Sequence, residues 1–267
     1  MSRFFSSKYS ALEPYVPGEQ PSCMSEYVKL NTNESPFPPS KKAMDYALNN
    51  TRALNLYSDP DSVELSKAIA DTYNVKRNMV LATNGSDEIL NFAFMAFTDS
   101  SNPALFADIT YGFYPVFASL NGSKTEIIPL REDFTIAVDD YIDRKGTVFI
   151  ANPNAPTGIA LPVSEIERLV ASNPDRVVVI DEAYVDFGGE SAVGLVKKYD
   201  NILICQTFSK SRSFAGGRLG YGIGSEALIS DLNTVKYSTN PYNINSMTSS
   251  MGIGILRDAS YTEANCR

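Results

Sequence analysis

The sequence predicts an α/β fold, a mostly parallel seven-stranded sheet between helices. Three observations carry that expectation. From about residue 79 onward, short β-branched runs alternate with longer helical stretches, the texture of strands joined by crossover helices. Seven such runs occur, at 79–83, 104–107, 125–129, 147–151, 176–181, 201–206 and 218–224. The chain has 267 residues, 43% of them hydrophobic, which is enough apolar material for a real core.

Taken in order, the first 60 residues are rich in Pro, Asn, Ser and Tyr and show little periodicity apart from 41–50. They read as an extended arm with one short helix. The run 79–83 leads into an apolar helix at 87–97, and 163–172 forms an amphipathic helix between the runs 147–151 and 176–181. A loop rich in cations separates 201–206 from 218–224, and a further helix covers 225–235. Residues 253–267 read as part of a long helix, since nothing from 258 to 267 is a Gly or Pro that would end it. There is no internal repeat and no low-complexity tract. In sheets of this kind ligands sit beyond the carboxyl ends of the strands, so the informative residues belong just after each run.

Composition removes several function classes. The chain contains no histidine, which excludes a Ser–His–Asp or Cys–His nucleophile, a histidine general base and the common zinc sites. No metal is expected. A net charge of −8 argues against non-specific nucleic-acid binding, which needs basic surface to displace counterions. Cys23, Cys205 and Cys266 are odd in number and far apart, so they read neither as a disulfide framework nor as a metal cluster. A reducing cytoplasm is the expected location. No stretch approaches 18 uninterrupted apolar residues, and the amino terminus lacks the apolar core of a signal peptide. No membrane partner is expected, and the sequons at Asn84 and Asn121 read as chance matches.

The residues after the strands carry the chemistry. Asn84-Gly85-Ser86-Asp87-Glu88 opens a helix with free N–H groups, which suits a phosphate; a simple capped helix would look the same. Asp181-Glu182-Ala183-Tyr184 puts an acid at the end of a buried strand, where it must be paired, hydrogen-bonded or functional. Thr207-Phe208-Ser209-Lys210-Ser211-Arg212 ends the next run, and Arg218 follows, so three cations fall within nine residues of an acidic protein. A solvated basic loop is the plain alternative. Yet a lysine at a strand end beside another cation suits Schiff-base chemistry, and hydroxyls with an arginine suit a phosphate. One strand away, Asp181 could pair with a protonated pyridine nitrogen. Lysine, aspartate and a helix-end phosphate cradle together are what pyridoxal 5'-phosphate needs.

The motifs GSDE, YGFY, NPNAPTG, DEAY, TFSKSRSFAGGRLGY and PYNIN, in this order, resemble the fold-type I pyridoxal-phosphate aminotransferases. Within them, KLNTNESPF and LYSDP are similar to the histidinol-phosphate aminotransferases, and the resemblance runs from about Tyr27 to the end. It implies the large domain of a fold-type I transferase and transamination between histidinol phosphate and 2-oxoglutarate in histidine biosynthesis. Lys210 is then the lysine that carries the cofactor and moves the substrate proton. Asp181 partners the pyridine nitrogen, and Tyr184 donates to the phenolic oxygen. Tyr111 stacks on the ring, while Gly85, Ser86, Asp87, Thr207, Ser209 and Arg218 belong to the phosphate site. Asn33, Tyr57 and Asn243 fall in the segments that the family places beside the substrate, Tyr57 reaching into a neighbouring subunit. A homodimer acting on small molecules is implied.

Two departures stand out. The asparagine that normally precedes Pro-Thr-Gly is Ala155 here, so the expectation passes to Asn154. Family members also continue into a small C-terminal domain, so the expected division is an arm at 1–45, a cofactor-binding domain at 46–245 and the start of an interdomain helix at 246–267. Threonine-phosphate decarboxylase, an aromatic aminotransferase and a cofactor-binding fragment of low activity remain alternatives. A dinucleotide site at Gly220–Gly224 is discarded, because the run lacks G-x-G-x-x-G spacing and its helix.

Overall fold

The protein is described by a computed structural model covering residues 3–9, 12–18, 28–51 and 53–267. Cys23 and Tyr27 lie outside the described residues. Seven strands, β1 (Val80–Thr83), β2 (Ala104–Ala107), β3 (Thr125–Ile128), β4 (Thr147–Ala151), β5 (Val178–Asp181), β6 (Ile202–Thr207) and β7 (Gly220–Gly224), form one sheet in the order β1-β7-β6-β5-β4-β2-β3. β7 runs antiparallel to both its neighbours, and the other pairings are parallel. The expected mostly parallel sheet is present with its seven runs.

The described helices are α1 (Lys41–Asn50), α2 (Val63–Tyr73), α3 (Ser86–Phe97), α4 (Tyr114–Asn121), α5 (Asp139–Ile142), α6 (Val163–Ala171), α7 (Glu226–Thr239), α8 (Ser246–Leu256) and α9 (Ala259–Asn265). Their starts follow local chemistry. Ser40, Ser225 and Asn245 accept backbone N–H groups of the first turns of α1, α7 and α8, satisfying donors that a helix start leaves free. Gly122 ends α4 in the left-handed region.

The side-chain alternation of the strands divides the core in two. Val178, Ile180, Ile202 and Ile204 face one layer with Leu65, Ile69 and Ile166, from α2 and α6. Val179, Leu203 and Cys205 face the other, with Ile89, Phe94, Tyr114 and Leu232, from α3, α4 and α7. Period-two burial on both faces explains why these strands read as continuous apolar runs.

The long helix expected at 253–267 is interrupted. The backbone leaves helical geometry at Asp258, φ −121° and ψ 45°, and α9 starts afresh. No Gly or Pro causes this. Asp258 accepts the Lys42 ammonium at 3.1 Å, and Tyr261 donates to the Pro38 carbonyl at 2.9 Å, so contacts with the arm and α1 compete with helix continuation. Among the described residues no helix is long and apolar enough to cross a membrane.

Candidate active site

Strand pairing brings the expected residues to one edge. Thr83 and Thr207 both face Gly220 across β7, Asp181 faces Cys205, and Ala151 faces Asp181. The carboxyl ends of β1, β4, β5 and β6 therefore share an edge with the start of β7. There a cavity is lined by Ser86, Asp87, Tyr111, Ala151, Pro153, Ala155, Asp181, Ala183, Tyr184, Thr207, Ser209, Lys210 and Arg218.

Asp181 forms the floor. It is 4% exposed, and its partners are the Tyr114 hydroxyl at 3.2 Å and the Ala183 N–H at 3.1 Å. Burial pushes its carboxyl up to about 7, against the pull of these two donors, and the carboxylates of Asp87 and Glu182 add to the rise. No ion pair balances it among the described residues. Glu182, the next residue, points elsewhere. Ser191, the Ala192 N–H and Gln206 all donate to its carboxylate, and burial still raises it.

The rim is built around α3. Gly85 holds φ +79°, and a Cβ there would lie 2.6 Å from Arg218 Nη2, so this glycine opens the space that the guanidinium occupies. No side chain caps α3. Its first N–H groups and Arg218 form a positive rim. Asp87 ties this rim together, accepting Tyr111 Oη at 2.7 Å and Arg218 Nη2 at 3.2 Å. Burial, then the Asp87 charge, raises the Tyr111 phenol well above its ordinary value.

Across the cavity, Lys210 Nζ donates to the Thr32 carbonyl at 2.7 Å and stands 5.5 Å from the centre of the Tyr184 ring. Asn33 Nδ2 donates to Tyr184 Oη at 3.0 Å, so the arm lies over the site. Thr207 Oγ1 donates to Ser209 Oγ at 3.0 Å and accepts the Ser209 N–H at 3.1 Å.

Three expected residues are held away from the cavity. Asn154 is buried with its amide committed to the Ile109 carbonyl and Thr157 Oγ1, and its oxygen to Thr110 Oγ1. The turn thus spends the side chain on itself, and Ala155, which has no donor, faces the cavity. Asn243 is buried, donating to Glu88 Oε2 at 2.6 Å. Tyr57 is 83% exposed and stacks on Tyr242 with centroids 4.6 Å apart. Tyr114 and Thr32 enter the site with no role expected of them, although they lie in the motifs YGFY and KLNTNESPF. Tyr114 sits at the start of an apolar helix, and Thr32 acts only through its backbone.

The residues present fit pyridoxal phosphate. A buried carboxylate without a cation faces the cavity floor, an amine stands opposite, and a glycine-cleared helix start with an arginine forms the rim. Comparison with known proteins agrees. The family pattern described as aminotransferase class I and II matches residues 25–265. The histidinol-phosphate aminotransferase of Acinetobacter baumannii is 50% identical over 269 residues, covering 99% of this chain and 74% of that protein. The histidinol-phosphate aminotransferase structure from Clostridium acetobutylicum is 27% identical with a TM-score of 0.79, over 88% of this chain and 71% of that one. The Sinorhizobium meliloti enzyme in complex with pyridoxal-5'-phosphate shares the fold, at 19% identity and a TM-score of 0.81, over 88% of this chain and 65% of that one.

Proposed function

The chain belongs to the class I and II aminotransferases, and on that premise we propose that it catalyses pyridoxal-phosphate-dependent transamination of histidinol phosphate with 2-oxoglutarate, a step of histidine biosynthesis. The observation that carries the substrate is the 50% identity along almost the whole chain to an enzyme of that name. The cavity supports the chemistry. Bound pyridoxal phosphate supplies an aldehyde for amine exchange and a protonated ring that withdraws electrons from the substrate carbon.

Each residue then has a physical task. Lys210 holds the cofactor covalently at rest and carries a proton to and from the substrate carbon through Nζ. Asp181 ionises when a cationic ring nitrogen is set beside it, and that charge keeps the nitrogen protonated. Tyr184 would offer its hydroxyl to the phenolic oxygen, and Tyr111 would pack on the ring. The N–H groups of Ser86 and Asp87, the hydroxyls of Thr207 and Ser209, and Arg218 bind the phosphate, with Gly85 leaving room. The Asp87 carboxylate would repel a phosphate, so its part is to orient Arg218 and Tyr111. Asn33 and the backbone of Thr32 close the substrate side and exclude water.

Tyr57 completes the site of a second copy in a homodimer, which its exposure and its absence from the lining of its own cavity support. The cofactor groups from Gly85 to Arg218 belong to a domain spanning 46–245, and a cytoplasmic location suits thiols at Cys205 and Cys266 that are free.

The test is a panel of amino donors on the reconstituted protein. Histidinol phosphate should convert the bound cofactor to its amine form faster than glutamate, phenylalanine or threonine phosphate. Release of carbon dioxide from threonine phosphate, with no reaction of histidinol phosphate, would overturn the assignment.

A further inference from the structure

Two residues past Lys210, Arg212 turns away from the cavity. Only 10% of its side chain is exposed. Its Nη1 donates to the Thr207 carbonyl at 3.1 Å and stands 3.6 Å from Asp186 Oδ2. Its Nη2 donates to Tyr73 Oη at 3.0 Å and to Gln206 Oε1 at 3.3 Å. The guanidinium carbon lies 5.3 Å from the centre of the Phe208 ring and 5.7 Å from that of Tyr221. Asp186 takes a second bond from the same loop, accepting the Ser211 hydroxyl.

These contacts link three separate pieces of chain. Thr207 closes β6 just before the Lys210 loop, Tyr73 closes α2, and Asp186 lies two residues beyond Tyr184 in a short turn at Val185–Phe187. On the cavity side the loop is held by the Lys210 ammonium on the Thr32 carbonyl and by the Ser213 hydroxyl on Ser35 Oγ at 2.9 Å. Its backbone is tied by the Ser213 N–H to the Lys210 carbonyl at 3.1 Å and by the Phe214 N–H to the Phe208 carbonyl at 2.9 Å. Ser213 itself sits in the left-handed region, φ 55°, a conformation that surrounding contacts must maintain. A core-filling role would need no acceptor from the Tyr184 segment. The carboxylate of Asp186, two residues beyond Tyr184, is instead shared by the two residues directly after Lys210.

We propose that Arg212 and Asp186 form a clamp behind the active site that fixes the Lys210 loop against the Tyr184 segment, making Arg212 a positioning residue for the amine exchange. The proposal rests on Lys210 being the residue that carries the cofactor. A flexible lysine ammonium could supply the charge of Arg212. It could not supply the planar fork that meets several acceptors at once.

The experiment uses the full chain loaded with pyridoxal phosphate, as wild type, K210A, R212K, R212M, D186N and R212M/D186N. Four quantities are read: the borohydride-fixed adduct by mass spectrometry, the pH midpoint of the visible absorbance, the melting temperature, and kcat with KM. K210A should lose the adduct; if it keeps it, the reading of Lys210 fails, a result separate from the clamp. R212M and D186N should keep the adduct on Lys210, shift the pH midpoint and lower kcat about tenfold or more, with KM moving less than about threefold. The double variant should be no worse than the poorer single one, because either substitution opens the same clamp. R212K should recover melting temperature without recovering the midpoint. A lower melting temperature with an unmoved midpoint in R212M and D186N would overturn the clamp, as would additive losses in the double variant. If R212M does not fold, D186N decides alone, and an unmoved midpoint there overturns the proposal.

Discussion

Asp181 is removed from water with only two neutral donors to offset the loss, and burial lifts its carboxyl to about 7. Its effect on stability has a definite sign. In the unfolded chain the group ionises near its ordinary value, so between about pH 4 and pH 7 the folded protein holds a proton that the unfolded chain has lost. The stabilisation is full below the lower value and fades as pH rises through the upper one. Asp181→Asn never ionises. The cofactor-free variant should therefore gain stability over wild type as pH rises from 5 to 8, by roughly 2–4 kcal/mol at the upper end. Glu182 is unchanged in both proteins and cancels from the comparison. Parallel melting curves for the two proteins across that range would show that Asp181 ionises freely. In the loaded enzyme the same substitution should abolish most turnover, since no charge then holds the ring nitrogen protonated.

At the scale of elements, the site depends on how closely β7 approaches the start of α3. A Cβ on Gly220 would fall 2.4 Å from the Ser86 nitrogen and 2.5 Å from the Gly85 carbonyl carbon, both backbone atoms that cannot move alone. Gly220→Ala should therefore push the first turn of α3 away from Arg218. Stability should fall by about 1–3 kcal/mol, and pyridoxal phosphate affinity, measured by equilibrium dialysis, should weaken at least tenfold (about 1.4 kcal/mol). Wild-type affinity in that variant would mean that the rim does not depend on this approach. Helices show the same dependence on neighbours. α1 was legible as a short helix at 41–50, and α3 from its apolar pattern after Asn84-Gly85-Ser86. The break before α9 was not, because Asp258 is drawn out of helical geometry by Lys42, 216 residues away in sequence.

At the scale of the molecule, the exposed aromatic pair at Tyr57 bears on assembly. Tyr57 and Tyr242 stack in the open, and Leu54, Leu56 and Met247 are each more than half exposed. Exposed apolar side chains of this kind suit an interaction surface. The homodimer proposed above would cover it, with Tyr57 carried toward the partner's cavity. Sedimentation at micromolar concentration should give the mass of two chains, and Leu56→Glu should shift it to one. A wild-type monomer that transaminates histidinol phosphate at full rate would exclude the role given to Tyr57.

Sequence by itself determined the architecture and the principal chemistry. Most of the runs that became strands are apolar on both faces, a local property, the edge strand β3 being the exception. Lys210, Asp181 and Ser86 stand at or just past the ends of such runs, which lie at one edge of the sheet, and Arg218 precedes β7, whose antiparallel course brings its start to that same edge. Tertiary structure decided the rest. Asn154, Asn243 and Tyr57 carry the residue types expected beside a ligand, yet their side chains stand outside this chain's own cavity. Asn154 bonds its own turn and the neighbouring loop after β2, Asn243 bonds Glu88 155 residues away, and Tyr57 stacks on Tyr242. Thr32 meets Lys210 across 178 residues through a carbonyl that every residue type possesses. A side chain's hydrogen-bonding capacity is written in its identity, but which partner takes it depends on distances that only the folded chain sets.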